Sequence, residues 1–508
     1  MSNLWRVRRC HLAAGSWIFL RPSSLEFCGL MLATGLMLDT PRKLSIKEKL
    51  AYGVGDAGAN FIFQAQITFL MFFYTNVFGI AAGTAGRILL ISRLIDAFND
   101  PIVGAIADRT NTRWGRYRPW LLWTAVPMAV ALVLCYTTPP LSATGKVIWA
   151  IATYNVLMII YAANNIPYCA LSGVMTSDAH ERTSLLSWRF VCAMMAALVV
   201  NVLTIDFVQR LGRGDEALGY QLTMGLWGIL AAAFFVTAFA LTKERVSASP
   251  KQRSSLRQDV SDLLHNGPWI ALFALSILIY IQLALRSGSM LYYFTYYLQV
   301  ENIFGRIDNF GVFNGVGLAS VILGIALSKP LAKRFGKRNT FGVCLLFSSL
   351  FMAAFALVPP DAFGMLIALQ VLLHLAFGPT IPILWAMMAD VADYSEWKTG
   401  RRSTALAFAS IIFGLKLGFG VGGWLNGELL EYFGYSAATR QSSSATHGIL
   451  MLVSVFPAVV LLIAAGVLLL YRLNDRLVKE VEQSLTTRRK QLDSTQTEPD
   501  PKLESEIP

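Results

Sequence analysis

The chain has 508 residues, 55% of them hydrophobic and only 15% charged, with a mean hydropathy of +0.52. A soluble protein is about a quarter charged, so this composition excludes an ordinary soluble domain. The net charge of +12 does not argue for a nucleic-acid partner, because the basic residues stand between apolar segments, where they report topology.

In chain order, residues 1–43 differ from everything after them. Arg6, Arg8 and Arg9 precede a weak apolar stretch that Arg21 interrupts, and no cleavage site follows. The segment reads as a disordered extension or a mis-called start, with Met31 or Met37 a more natural first residue, and it is assigned no function. Apolar segments then fall at about 50–78, 83–107, 119–138, 146–171, 184–209 and 220–242, each close to the roughly 20 residues a bilayer crossing takes. A polar stretch at 243–267 interrupts the pattern. A second set follows at about 268–298, 309–329, 340–359, 362–389, 404–430 and 448–471. The charged tail 472–508, which contains Pro and Thr, is expected to be frayed or disordered. The expectation is an all-α membrane protein with 12 transmembrane helices: six in 44–242, a connecting loop at 243–267, and six in 268–471.

Loop charges alternate along the chain and set the orientation. One set of loops holds Arg109, Arg113, Arg116 and Arg118, then Lys243, Arg245, Lys251, Arg253 and Arg257, then Lys333, Arg334, Lys337 and Arg338, then Lys398, Arg401 and Arg402. The other set holds little more than Lys146, Arg210, Arg213, Arg306 and Arg440. The bias of basic loops towards the inner side makes the first set, and with it both termini, cytoplasmic. Leu256, Val260, Leu263 and Leu264 would share one face of a short helix in the central loop, lying along the inner membrane surface. Of the six cysteines, none has metal-ligand or disulfide-framework spacing, and Cys135, Cys169, Cys192 and Cys344 read as small apolar fillers within spans.

The second segment contains Arg93-Leu-Ile-Asp96-Ala-Phe-Asn99-Asp100-Pro101. Asp96 and Asp100 are four residues apart, so on a helix they share one face, one turn above the other. An ionisable group at bilayer depth costs roughly 2.5–3.5 kcal/mol on insertion scales, and such groups usually serve an ion or substrate pathway. The pair offers oxygen ligands to a cation or a place to carry a proton. Lys416 stands alone among apolar residues deep in the eleventh segment, where its ammonium would ease repulsion between the two carboxylates. Arg93, one turn before Asp96, can compensate its charge. Arg286 in the seventh segment is an intramembrane charge without an assigned role, and Gln64 and His374 read as packing or hinge residues.

Five motifs in order carry a resemblance. They are Leu50-Ala-Tyr-Gly53-Val-Gly55-Asp56, the Arg93-to-Pro101 run, Arg113-Trp-Gly-Arg-Tyr-Arg-Pro119-Trp120, Asn165-Ile-Pro167-Tyr168, and Ala389-Asp390-Val-Ala-Asp393-Tyr394-Ser-Glu396-Trp-Lys-Thr-Gly400-x-Arg402. From about Leu44 to Arg476 the chain resembles the glycoside–pentoside–hexuronide cation symporters, the melibiose permease-like branch of the major facilitator superfamily. The resemblance implies two six-helix bundles with substrate bound between them near the midplane. It implies a coupling-cation site at Asp96 and Asp100, with Asn99 and Arg93 beside it and Lys416 reaching it from the other bundle. Sugar-binding positions are implied at Asn60, Asn165 and Arg189, with Tyr168 and Trp385 added from their aromatic placement beside Pro167 and Pro382. Asp108, Arg109 and Arg116 in the loop after the second segment resemble the superfamily's charge relay. Asp390, Asp393, Glu396 and Arg402 look like part of an ionic lock that pairs with basic residues such as Arg182 or Arg334.

Three departures qualify the resemblance. Asn60 and Asn165 stand where melibiose-carrying members have sugar-binding carboxylates, and amides still donate to and accept from sugar hydroxyls. Ala162 replaces a polar neighbour of the cation, and fewer hard oxygen ligands favour a proton over sodium. The reading is therefore a secondary transporter that imports a glycoside, pentoside or related sugar with H+ or Na+. It would work by alternating access as a monomer in a bacterial inner membrane, with lipid, sugar and cation as partners and no further cofactor. No Gly-x-x-x-x-Gly-Lys-[Ser/Thr] loop is present, which argues against an ATP-driven pump. An uncoupled facilitator, a membrane-embedded glycosyl-transfer enzyme and a sugar sensor are the alternatives.

Overall fold

The structure, a computed structural model, describes residues 43–176, 178–245, 264–299, 308–399, 404–437, 440–481, 483–485 and 487. The N-terminal extension, Leu256, Val260 and Leu263 of the central loop, the last residues of the tail, and Arg402 lie outside the described residues. All helices below belong to the compact unit that begins at Ser45.

Helix α1 (Ile46–Gln64) opens on a capping box. The Ser45 hydroxyl accepts from the Glu48 N–H at 3.2 Å, and the Glu48 carboxylate accepts from the Ser45 N–H at 3.2 Å. The helix continues through π-type turns at Ala65–Phe69 and Phe73–Val77. There follow α2 (Ala82–Arg109), α3 (Arg118–Cys135), α4 (Ala143–Met175), α5 (Ala179–Gly212) and α6 (Glu216–Leu241). After the central loop come α7 (Gly267–Tyr292), α8 (Asn309–Phe335) and α9 (Lys337–Ala354). The next predicted segment is two helices, α10 (Phe363–Phe377) and α11 (Thr380–Thr399), parted at Gly378-Pro379. Helix α12 (Thr404–Tyr432) precedes a final segment split at Ser454 into α13 (Ser443–Val453) and α14 (Val455–Leu468).

Nine helical stretches among the described residues are long and apolar enough to cross a bilayer. The all-helical class read from the sequence is the class observed. The described start of the tail departs from expectation: residues 475–481 are helical, started by Asn474, whose side chain accepts from the Leu477 N–H at 2.8 Å. Val481 and Leu485, one turn apart, are both 3% exposed, so an apolar stripe orders a segment whose composition reads as frayed.

Packing places α1 against α5 and α6, α3 against α4 and α6, and α2 against α4. Further along, α7 packs on α14, α8 on α10, and α9 on α10 and α14. The early helices meet the late ones where α2 packs on α12, α5 on α8, and the turns that continue α1 on α7. The α2–α12 seam is close because both helices present glycine there. A Cβ on Gly427 would stand 2.4 Å from the Ala82 carbonyl oxygen, and one on Gly86 would stand 2.9 Å from that of Trp424.

Candidate functional site

Helical register brings Arg93, Asp96 and Asp100 to one side of α2, and the α2–α12 seam brings Lys416 to meet them. The Lys416 ammonium lies 2.8 Å from Asp96 Oδ2 and 2.6 Å from Asp100 Oδ2, so one cation bridges two carboxylates. The Asp96 side chain has 0% exposure and that of Asp100 24%, which gives the pair one shielded and one accessible member. Asp96 Oδ1, Asp100 Oδ1 and Asn99 Nδ2 are buried without a hydrogen-bond partner. Two carboxylates and one ammonium leave a net charge of −1 at mid-helix, where an uncompensated charge is costly. The arrangement can therefore accept one monovalent cation or one proton.

Arg93 does not fill the role expected of it. Its guanidinium lies 3.5 Å from Gln66 Oε1 and 5.7 Å from the Phe419 ring centre. It makes no ion pair among the described residues. Lys416 takes the compensating position because α12 delivers its ammonium between the carboxylates, while the Arg93 guanidinium reaches Gln66 in the turn that continues α1.

A second charged site joins α1, α4 and α5. Arg189 meets Asp56 in a two-point contact, Nε to Oδ2 at 3.1 Å and Nη2 to Oδ1 at 3.2 Å. Asp56 is 6% exposed. Asn60, one turn further along α1, is half-buried and donates to the Asp56 carbonyl at 3.0 Å. Asn165 is half-buried on α4 and accepts from the Cys169 thiol at 3.5 Å. Tyr168 is buried, stacked on Tyr52 with ring centres 4.5 Å apart, and its hydroxyl donates to the Tyr52 carbonyl at 2.5 Å. The Arg189 guanidinium lies 5.2 Å from its ring centre. Tyr168 thus holds Arg189 instead of offering a free hydroxyl to a ligand. Trp385 is half-buried on α11, which packs chiefly on α7, α8, α9 and α12. Asp56 had no sequence-derived role, although its lone carboxylate inside the first apolar segment was the available signal.

The loop after α2 is organised by Glu244, a residue the sequence reading passed over. Its carboxylate accepts the backbone N–H groups of Arg116, Tyr117 and Arg118 at 2.9, 2.8 and 2.9 Å, capping the start of α3. Gly115 makes room for it: φ is +113°, and a Cβ there would stand 2.5 Å from Glu244 Oε1. Asp108 accepts from the Tyr117 hydroxyl at 3.0 Å. Burial, and then the Asp108 carboxylate, raise the Tyr117 phenol above its usual value, which keeps it a donor at neutral pH. Arg109 is exposed.

Asp390 pairs with Lys337 at 2.6 Å, not with Arg182 or Arg334. Lys337 opens α9, the helix beside α11, and is the cation nearest to hand. Arg182 donates to the Thr176 carbonyl at 3.1 Å, and Arg334 lies over the Phe335 ring at 5.3 Å. Asp393 and Glu396 are half-buried on α11.

Arg286, without a role in the sequence, serves a broken helix. Its guanidinium donates to the Val453 carbonyl and, at 2.9 Å, to Gln370 Oε1, and it lies 4.4 Å from the Phe355 ring centre. The helical partner of the Val453 carbonyl would be the N–H of residue 457, which is Pro457 and has none. Arg286 supplies the missing donor. His374 hydrogen-bonds the Gln370 carbonyl through Nδ1 at 2.9 Å, and Gln64 accepts from Asn201 at 3.2 Å, both packing arrangements.

At the end of α1 a polar and aromatic cluster joins early and late helices. Thr75 meets the Tyr292 hydroxyl at 2.6 Å, and Asn76 is held by the hydroxyls of Tyr296 and, at 2.7 Å, Tyr435. Beside it Arg87 pairs with Glu428 at 2.7 Å, and Glu431 accepts the Gly83 N–H at 2.8 Å.

Helices arranged in this way around mid-helix charges are those of major facilitator transporters. The crystal structure of the nucleoside transporter NupG matches this chain with a TM-score of 0.57 at 16% identity, over 84% of this chain and 99% of that one, a likeness of fold. The chain belongs to the family described as MFS/sugar transport protein, whose model matches residues 51–475, and within it to the glycoside–pentoside–hexuronide cation symporters. It is a multi-pass membrane transporter and not an enzyme. The inner membrane symporter YicJ of Escherichia coli (strain K12) is 38% identical over 423 residues, 83% of this chain and 90% of that protein. The isoprimeverose transporter of Lactiplantibacillus pentosus is 32% identical over 449 residues, 86% of this chain and 91% of that one.

Proposed function

We propose that the protein imports a sugar, a glycoside or pentoside, together with one monovalent cation across a bacterial inner membrane, with the proton favoured over sodium. The observation that carries this reading is the single Lys416 ammonium shared by Asp96 and Asp100, which leaves one negative charge to be met by an incoming cation. The symporter and sugar-transporter names of the relatives support the same class. Scarcity of further hard oxygen ligands supports the proton: no third acidic, His or Cys side chain joins the pair among the described residues.

In this mechanism twelve spans form two halves with both termini cytoplasmic. The cluster of Thr75, Asn76, Tyr292, Tyr296 and Tyr435 is the outer seal, since the basic loops that carry Arg113, Arg116, Lys243 and Arg334 lie at the other end. A cation at Asp96 and Asp100 displaces the ammonium, which loosens the α2–α12 seam. Sugar binds between the halves at the Asp56–Arg189 site with Asn60 and Asn165, and the halves rock about it. Asp108, Arg109, Arg116, Asp390, Asp393, Glu396 and Arg402 act at the cytoplasmic closure.

The test is uptake of a labelled panel of glycosides and pentosides into vesicles, with sodium and pH varied independently. Asp96→Asn removes the negative charge and should abolish uphill accumulation while exchange of internal for external sugar continues. Full uphill accumulation in that variant would refute the assignment.

A further inference from the structure

A cavity of about 30 Å³ lies where α1, α2, α4, α7 and α12 meet, with Gln66, Met71, Arg93, Tyr154, Phe419 and Asn426 in its wall. Gln66 belongs to the π-type turn of α1, a kind of irregularity that recurs at functional sites. Gln66 is 5% exposed; its Oε1 faces Arg93, and its Nε2 has no partner. Asn426 is 1% exposed; its Nδ2 donates to the Leu285 carbonyl at 3.1 Å and to Ser289 Oγ at 2.9 Å, and its Oδ1 has no partner. Gly288 lets that amide in, since a Cβ there would stand 2.7 Å from Asn426 Nδ2.

One wall therefore offers a spare donor and the Arg93 guanidinium, and the other a spare acceptor. An anion would serve Gln66 and Arg93 but leave the Asn426 oxygen unpaired. A metal cation would serve that oxygen and face the guanidinium. A sugar ring exceeds the volume. Water donates and accepts, and a cavity of this size, mainly apolar in its wall but carrying these spare polar atoms, has room for one or two molecules.

We propose that this cavity is an ordered-water site in which one or two waters bridge the Gln66 amide, the Arg93 guanidinium and the Asn426 oxygen across the α2–α12 seam. The site explains how Arg93, 7% exposed and one turn from Asp96, keeps its charge without pairing to that carboxylate. Bridging water satisfies the guanidinium, so Asp96 is left to Lys416 and to the travelling cation. The site itself needs no substrate; its consequence for coupling rests on the sugar–cation reading above.

Hydroxyl-radical footprinting with short X-ray pulses, on the full chain in lipid nanodiscs, reads the site directly. Radicals formed from a bound water oxidise the side chains beside it even where bulk water does not reach. Met71, 3% exposed and in the cavity wall, should be oxidised several-fold faster than Met224, which is 0% exposed on α6. In Gln66→Leu/Asn426→Leu the Met71 rate should fall to that of Met224, and uphill uptake should fall with it. Should that variant fail to assemble, Gln66→Met, which keeps the length and removes the donor, is read in the same way. A Met71 rate no higher than that of Met224 overturns the proposal, because the cavity is then dry. A fast Met71 rate that survives the double substitution overturns it too, because the water is then bulk. A lost footprint with full uphill uptake overturns the link to Asp96. The footprint is recorded without sugar or a cation gradient, so failure of the transport reading leaves it standing.

Discussion

Asp56, buried, and Arg189, half-buried, are a pair whose members stand 133 residues apart in sequence. Each is costly inside the bundle alone, and removal of one partner strands the other. Asp56→Ala should cost about 3 kcal/mol, read as a lowered melting temperature in detergent, because Arg189 keeps its charge wherever it sits. Asp56→Asn retains a hydrogen bond and should lose less. Equal melting temperatures for Asp56→Ala and the native chain would mean that the guanidinium finds solvent unaided. Of the residues proposed for the sugar site, Arg189 and Asn60 were legible through the family resemblance. The partner of Arg189 was not, since no local spacing links α1 to α5.

At the scale of single helices, breaks in the α-helical ladder decide which side chains become structural. The α13–α14 break leaves the Val453 carbonyl without its usual donor because residue 457 is proline, and Arg286 reaches across from α7 to fill the gap. Arg286→Met should therefore cost about 1–3 kcal/mol through an unsatisfied buried carbonyl. Restoring a backbone donor with Pro457→Ala in that background should recover part of the loss, measured as melting temperature of the single and double variants. If Pro457→Ala makes Arg286→Met worse, the guanidinium serves something other than the break. Proline was visible in the sequence, and so was the arginine. What linked them was the packing of α7 on α14, which no periodicity reveals.

For the whole molecule, the decisive contacts are those that join early helices to late ones. Along the α2–α12 seam the chain sets Glu431 on the Gly83 N–H, Glu428 on Arg87, glycine on backbone, and Lys416 on Asp96 and Asp100. The Gly83–Glu431 and Arg87–Glu428 contacts, beside the Thr75–Asn76–tyrosine cluster, thus share α2 and α12 with the carboxylate pair, which couples the two ends of the seam. Asn76→Cys/Tyr435→Cys, joined by a short reducible bis-thiol linker, should stop uptake by holding the cluster shut, and reduction should restore it. Continued uptake in the linked protein would show that this end does not open during transport.

The sequence alone determined the helical membrane class, the order of the apolar segments, and the charged face of α2, because each follows from spacing within a few residues. The family was legible too, through motifs whose residues lie close together in the chain. Only the tertiary structure decided that Asp390 pairs with Lys337, that Arg93 turns to Gln66 and not to Asp96, and that Glu244 caps α3. Those outcomes depend on which helices approach closely enough to touch. That is set by glycines and small side chains on facing surfaces, whose partners lie far away along the chain.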